Sequence, residues 1–371
     1  MMAPTEILAE QHARSLSSLL EKGGVRVGLL TGSLPAARRR AVLAALGAGE
    51  IDLLVGTHAL LSEGVNFPRL GLVITDEQHR FGVAQRAALA AKGVNPHLLV
   101  MSATPIPRTL ALILYGDLDV SVLDELPPGR TPVATYAVDS GKRERAYNYV
   151  KKHIDRGRQG YIVCPLVSEG EIDLASAEEY ARTLADGPFR GYTLGLLHGR
   201  MKPAEKERVM SAFAAGEIAL LVSTTVIEVG VDVPNAVIMV IENAERFGLA
   251  QLHQLRGRVG RGKHASTCIL ISDAQNEEAR RRLKVMCTTN DGFRIADEDL
   301  RLRGPGDFFG SRQHGLPALK IADLMGDMPL FRAAQDAARA LTEADPALAA
   351  PEHKGLAEEV RILFSSSGAM L

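Results

Sequence analysis

The chain has 371 residues, of which 46% are hydrophobic and 23% are charged, and its formal net charge is −1. This length and composition exclude a mainly disordered chain and predict two or three globular domains. The near-neutral charge excludes a basic field over the whole surface, so any contact with nucleic acid must be local.

Short apolar runs rich in Val, Ile and Leu alternate with helical stretches in the first part of the chain. Such runs are typical of buried parallel strands joined by helical crossovers. Ser33 and Pro35 predict the N-cap and first turn of a helix over the segment AARRRAVLAAL. The predicted strands cover residues 25–30, 51–55, 70–74 and 98–101.

The sequence DELPPGRTP follows Leu123 and contains three prolines and one glycine. Neither a helix nor a central strand continues easily through such a segment, so it predicts a domain boundary. Strand-like runs resume at 160–167, 193–197, 219–223, 236–241 and 267–271, and helical sequence follows from about Asp273. The predicted domains are a first lobe at 1–122, a linker at 123–135, a second lobe at 136–274 and a helical region at 275–371.

Acidic and hydroxyl residues follow two of the predicted strands in the first lobe. Asp76 and Glu77 stand at the carboxyl end of one strand, where ligands bind parallel sheets, and they could hold magnesium and position a water. Ser102 and Thr104 follow the next strand and could hydrogen-bond to these carboxylates. The alternatives are a solvated acidic loop and a plain turn.

Two further motifs lie in the second lobe. The segment STTVIEVGVDVP at 223–234 follows a strand, although a turn that needs glycine explains Gly230 alone. The segment QLHQLRGRVGRG at 251–262 interleaves arginines with glycines, which poorly suits an ordinary surface helix. Residues 257–263 also read G-x-x-x-x-G-K, but we reject a phosphate loop here, because His264 follows and helical sequence precedes.

Short segments of hydroxyl, glycine and charged residues after predicted strands are candidates for binding DNA phosphates. Each is weak alone, since the same residues make turns and helix caps. Binding through them is expected to be salt-sensitive and largely independent of sequence. The candidates are Pro4, Thr5, Glu6, Thr31, Gly32, Ser33, Gly56, Thr57, His58, His198, Gly199, Arg200, Thr224 and Thr225.

These motifs resemble those of superfamily 2 helicases, with D-E-x-H and S-A-T as motifs II and III and the two later segments as motifs V and VI. The segments MAPTEILAEQH, DEQHRFGVAQR, SATPIPRTLAL, DELPPGR and DEDLRLRGPGDFFGSRQHG further resemble the bacterial RecG family, over essentially the whole chain. The transcription-repair coupling factors share the motor and are the alternative. A D-E-A-D RNA helicase would show that tetrad and lack the last segment.

The resemblance implies an α/β fold with two RecA-like parallel-sheet lobes, the first incomplete, and a helical C-terminal translocation element. It implies a monomeric ATP-dependent DNA translocase that remodels stalled forks and Holliday junctions, with branched and duplex DNA and a single-stranded DNA-binding protein as partners. With ATP and Mg²⁺ bound, Asp76 would hold the metal, Glu77 would position water, and Arg258 and Arg261 would contact the nucleotide. Coupling residues would be Gln78, His79, Ser102, Thr104, Gly230, Asp232 and Gln254, and translocation residues Arg301, Arg303, Arg312 and Gln313.

One departure from the RecG pattern concerns the phosphate loop. The 371 residues contain no G-x-x-x-x-G-K-[ST] sequence, and they begin at motif Ia. We therefore expect a truncated form that lacks a wedge domain and a strand near the middle of the first sheet, which would leave a hydrophobic slot and a weakly stable lobe. A short protein that binds DNA without hydrolysing ATP is the alternative.

Cysteine spacing and hydropathy bear on location. Cys164, Cys268 and Cys287 stand far apart, which argues against a zinc site or a disulfide framework and favours a reduced cytoplasm. No apolar run approaches the roughly 18 residues that a membrane span needs.

Overall fold

The computed structural model describes residues 1–77, 80–102, 121–123, 125, 127, 130–165, 171–224, 233–303 and 327–366. The chain divides into two compact units. The first comprises Met1–Pro105 and Glu125–Ile295, and the second comprises Ile106–Asp124 and Ala296–Leu371. No helix in the described ranges is long and apolar enough to cross a membrane.

The N-terminal part of the first unit contains four short parallel strands, and its first residues join them into one sheet. Met2 bridges both Gly56 and Thr75, and the amide of Met2 donates to the carbonyl of Ile74 at 2.7 Å. Its elements are α1 (Glu6–Leu20), β1 (Val27–Leu30), α2 (Ala36–Gly47), β2 (Leu53–Gly56), β3 (Leu72–Thr75), α3 (Val83–Ala90) and β4 (His97–Val100), with β1 paired to β2 and β3 to β4.

The expectation of a vacant position near the middle of this sheet is wrong between β2 and β3. Met1–Ala3 occupies that position, and Met2 and Ala3 are fully buried because backbone hydrogen bonds hold them on both sides. Apolar surface is exposed instead on β4, where Leu98 is 52% and Leu99 is 47% exposed. Among the described residues, β4 pairs with β3 alone.

The predicted helix after Ser33 forms, but Ser33 does not cap it. The helix α2 begins at Ala36, and Pro35 occupies the N-cap position. The amide of Ser33 donates to Glu6 Oε1 at 2.9 Å, and its hydroxyl lies 3.4 Å from that of Thr31. Ser33 therefore ties the end of β1 to the first turn of α1.

The second sheet is a six-stranded parallel sheet with the order β5-β10-β9-β6-β8-β7. Its central strands β9 and β6 are buried along their whole length, as continuous runs of Val, Ile and Met predict. The strands are β5 (Ala134–Val138), β6 (Gln159–Val163), β7 (Leu194–Leu197), β8 (Leu220–Ser223), β9 (Ala236–Ile241) and β10 (Thr267–Ile271), and the helices are α4 (Arg143–Ile154), α5 (Glu171–Asp186), α6 (Pro203–Ala214) and α7 (Leu249–Arg256).

Most predicted strands form within two residues of their expected bounds, but β5 was not predicted. It is an edge strand paired to β10, and its burial alternates weakly, with Tyr136 exposed. Beyond β10 the described residues form helices α8 (Glu277–Thr288), α9 (Gly292–Arg303), α10 (Met328–Ala344) and α11 (Lys354–Ser366). Asn276 caps α8 by accepting from the amide of Ala279 at 3.2 Å.

Candidate functional site

Asp76 lies directly after β3 and is held on both carboxylate oxygens. Its Oδ1 accepts the amide of Glu77 at 2.9 Å, and its Oδ2 lies 2.7 Å from Nε2 of His12 on α1. The backbone amide of Asp76 donates to the carbonyl of Met2 at 3.0 Å. These contacts give the carboxylate a fixed orientation at the carboxyl edge of the sheet.

Glu77 adopts a left-handed backbone conformation with φ of 53°, which is uncommon for a residue other than glycine. Such strain is typical of functional turns. Ser102 follows β4, the strand beside β3, as the sequence predicts for residues that share one sheet edge. Gln78, His79 and Thr104 lie outside the described residues.

The acidic residues fit a magnesium ion that also binds phosphate. Magnesium takes hard oxygen ligands, commonly one or two carboxylates together with substrate phosphates. The described residues contain no cluster of three or more His, Cys, Asp or Glu side chains that could hold a metal by themselves. Asp76 is therefore suited to share a magnesium ion with a nucleotide.

The three candidate DNA-contact segments of the first lobe meet at the same sheet edge. Thr5 caps α1 by accepting the amide of Leu8 at 3.3 Å, and Glu6 binds the amide of Ser33. Thr57 is buried, and its amide donates to the carbonyl of Leu30 at 3.3 Å. The sheet thus brings together Pro4, Thr5, Glu6, Thr31, Gly32, Ser33, Gly56, Thr57 and His58.

Gly56 fits only without a side chain. A Cβ atom there would lie 2.2 Å from the carbonyl oxygen of Leu30, whereas one at Gly64 would meet nothing within 4 Å. We expect Gly56→Ala to lower the free energy of unfolding by about 2 kcal/mol, because backbone must move. Chemical denaturation beside Gly64→Ala measures this, and equal stability of the two variants would contradict it.

In the second lobe, candidate DNA-contact residues follow the neighbouring strands β7 and β8. The amide of Thr224 donates to the carbonyl of Leu197 at 3.2 Å, which places Thr224 beside His198 at one sheet edge. Lys206 binds the carbonyl of Gly199 at 2.6 Å, and Arg200 is exposed. Burial lowers the pKa of His198, so its ring favours the neutral form. Thr225 lies outside the described residues.

The arginine-rich segment begins on α7 and continues as a tight turn. Gln254 lies on the helix, Arg258 follows its end, and the exposed Arg261 donates to the carbonyl of Gly257 at 2.9 Å. Gly262 packs against backbone, since a Cβ there would lie 2.2 Å from the carbonyl oxygen of Pro234. Because the G-x-x-x-x-G-K sequence follows a helix, the rejection of a phosphate loop is confirmed.

Arg256, in the same segment, is a buried residue that the sequence analysis did not single out. Its Nη1 donates to the carbonyls of Met286 and Thr289 at 2.8 and 2.9 Å and to the hydroxyl of Thr135 at 3.4 Å. Its guanidinium therefore binds the carboxyl end of α8, where helix carbonyls lack partners within the helix. Arg256 thus connects this segment to the helix that follows the second sheet.

His253, also on α7, makes the stability of the second lobe depend on pH. Burial and the nearby Arg256 lower the pKa of His253 to about 4, below the ordinary 6.5. The contribution of the neutral ring is complete above pH 6.5 and is lost as the pH falls toward 4. We expect up to about 2 kcal/mol of unfolding free energy to be lost across this window, and His253→Gln to lose less. Denaturant melts at several pH values measure it, and identical profiles would contradict it.

A second unforeseen feature is a buried polar network around Glu242, directly after β9. Glu242 binds Arg143 at 3.1 Å and accepts the hydroxyl of Tyr147 at 2.7 Å, and Tyr147 contacts the hydroxyl of Tyr180. Burial, and then the charge of Glu242, raise the pKa of Cys164 to about 12. The network joins α4 and α5 to the strand ends.

The remaining predicted residues fall partly outside the described ranges. Arg301 pairs with Glu298 at 2.8 Å on α9, and Arg303 ends that helix. The side chain of Arg303 is not described, and Gly230, Asp232, Arg312 and Gln313 lie outside the described residues.

Three family profiles match the chain in succession. The profile of the DEAD/DEAH box helicases matches residues 1–113, that of the helicase conserved C-terminal domain matches 141–263, and that of the C-terminal part of RecG domain 3 matches 289–365. The last profile favours RecG over the coupling-factor alternative.

Curated relatives and solved structures agree with these profiles. The chain is 54% identical to RecG of Synechocystis sp. over 94% of its length and 42% of the relative, and 52% identical to RecG of Bacillus subtilis over 97% and 53%. A structure of RecG bound to a three-way DNA junction aligns with a TM-score of 0.72 at 49% identity, covering 89% of this chain and 42% of that one.

More distant helicases share the fold alone. The S. cerevisiae Dbp5 structure bound to RNA and ADP BeF3 is 14% identical, with a TM-score of 0.54, over 91% of this chain and 80% of that one. The two parallel-sheet lobes are therefore RecA-like, as predicted. The chain spans about half the length of the curated relatives it matches, and over that half it belongs to the RecG helicase family.

Proposed function

We propose that this chain carries the motor of an ATP-dependent DNA translocase that remodels branched DNA, such as stalled forks and Holliday junctions. The observation that carries the proposal is the shared sheet edge at which Asp76 and the segments around Thr5, Ser33 and Thr57 meet. A nucleotide site and a DNA track on one sheet are what such a motor requires, and relatives named RecG support this choice.

ATP with Mg²⁺ supplies the phosphoryl group whose transfer to water releases free energy. Catalysis of that transfer depends on positioning and charge rather than on covalent chemistry. Asp76 would hold the metal, Glu77 would orient the water, and Arg258 and Arg261 would contact the charged phosphates through their planar guanidinium groups. The coupling roles of Gln78, His79, Ser102, Thr104, Gly230, Asp232 and Gln254 belong to the same proposal.

DNA would be held through its phosphates and not through its bases. The first turn of α1 carries backbone amides without helical acceptors, which suit a phosphate oxygen. In the second lobe, His198, Arg200 and Thr224 offer a ring nitrogen, a guanidinium and a hydroxyl beside one another. Affinity for DNA would then depend on backbone shape and salt more than on sequence.

The translocation role of Arg301, Arg303, Arg312 and Gln313 is proposed from the matched RecG domain 3 profile, which covers all four positions. A monomer that also contacts a single-stranded DNA-binding protein completes the proposal.

Binding of a fluorescent three-way junction to the 371-residue chain tests the DNA half of the proposal. We expect binding that weakens steeply with salt, and a salt slope lowered by about 1 in Arg200→Ala if this residue contacts one phosphate. Arg190→Ala serves as the control, because Arg190 is also exposed but does not lie at the carboxyl end of a strand. Absence of junction binding by the unmodified chain would refute the proposal.

A further inference from the structure

His12 stands between the two parts of the first lobe to which DNA and nucleotide chemistry are assigned above. It lies on α1, seven residues or about 10 Å along the helix from Thr5. Its Nε2 contacts Asp76 Oδ2 at 2.7 Å, and both side chains are largely buried, at 25% and 18% exposed. The contact joins residues 64 positions apart.

The same two regions are also joined through the backbone. The segment Met1–Ala3 leads directly into Thr5, and the carbonyl of Met2 accepts the amide of Asp76 at 3.0 Å. Ala9 and Ala13 bury one face of α1 against the sheet. A helix held this way moves as a rigid body, so displacement of its first turn must alter the contact between His12 and Asp76.

We propose, resting on the proposed function, that His12 is a positioning residue that couples DNA binding at the first turn of α1 to the orientation of the Asp76 carboxylate. A phosphate at this turn fixes α1, and α1 fixes the carboxylate through His12. Coupling of this kind is reciprocal, so loss of the carboxylate must weaken DNA binding through the same contact.

A double-mutant cycle on the full chain tests the coupling, with duplex affinity measured by fluorescence anisotropy at fixed salt. His12→Ala and Asp76→Ala are each expected to raise Kd about fivefold, and the double variant no more than either one. Plain electrostatics predicts the opposite for Asp76→Ala, since removing a negative charge should tighten DNA binding. His12→Gln should restore near-normal affinity, because its amide can donate to the same carboxylate.

His97→Ala is the control, since His97 is an exposed histidine on β4. Ring nitrogen signals of ¹⁵N-labelled histidines provide a second readout, and the His12 signal, identified by its loss in His12→Gln, should shift when duplex is added. Additive effects in the double variant, or an unmoved His12 signal in the DNA complex, would overturn the coupling. Failure of the unmodified chain to bind duplex would instead overturn the proposed function itself.

Discussion

Replacing Arg258 by alanine is expected to lower DNA-stimulated ATP hydrolysis by about 10³-fold or more. The assay requires a chimera in which the part of Bacillus subtilis RecG that this chain does not match precedes residue 1. The reason is that these 371 residues contain no G-x-x-x-x-G-K-[ST] sequence, so we expect the chain alone to turn over ATP far below helicase rates.

The expected size of this effect follows from where Arg258 lies. Its amide donates to the carbonyl of Leu255 at 3.0 Å, which continues α7 by one turn and fixes the backbone that carries the guanidinium. Gly260, with φ of 80°, and Gly262 then turn the chain tightly against Val133 and Pro234. An arginine on so constrained a turn loses little entropy when it contacts a phosphate in the transition state.

The neighbouring Lys263 provides the matched control for Arg258. It is exposed and ends the G-x-x-x-x-G-K sequence that follows a helix and not a strand. Lys263→Ala should therefore leave hydrolysis within about twofold of the unmodified chimera, as expected for a lysine with no phosphate-loop role. Loss of activity in Lys263→Ala, or near-normal hydrolysis in Arg258→Ala, would contradict our assignment of this segment.

The features that the sequence predicted well are those encoded locally. Apolar runs followed by hydroxyl, glycine or acidic residues predicted both the strands and the edge at which Asp76, Ser33 and Thr57 lie, because the carboxyl ends of parallel strands share one edge. The edge strand β5 was missed, since its half-exposed residues alternate weakly and follow a proline-rich segment. Its pairing with β10 depends on residues more than 130 positions away.

The contacts that orient the site could not be predicted, because they join distant segments. Nothing in the local pattern around His12 indicates that it meets Asp76, or that Met2 completes the sheet between β2 and β3. The network around Glu242 joins residues up to 99 positions apart in the same way. Arg256 is the clearest case, because its neighbours in QLHQLRGRVGRG point to a catalytic role, whereas its own contacts are structural.

Arg256→Met is expected to lower the free energy of unfolding by about 4 kcal/mol, the largest stability effect that we predict. Methionine fills similar volume but cannot donate, so the buried carbonyls of Met286 and Thr289 would each lose a charge-assisted hydrogen bond of 2.8 to 2.9 Å. Burial already lowers the pKa of Arg256, which reflects the cost of holding this charge away from water. Those carbonyls repay that cost.

Arg261→Met is the matched control for Arg256→Met in guanidinium denaturation of the full chain. Arg261 lies in the same segment but is exposed, and its hydrogen bond to the carbonyl of Gly257 at 2.9 Å is open to solvent. We therefore expect Arg261→Met to cost less than about 1 kcal/mol. Equal losses in the two variants would show that Arg256 does not anchor α8. A selective loss in Arg256→Met would establish that one arginine of this segment serves the fold, leaving Arg258 and Arg261 to serve the nucleotide.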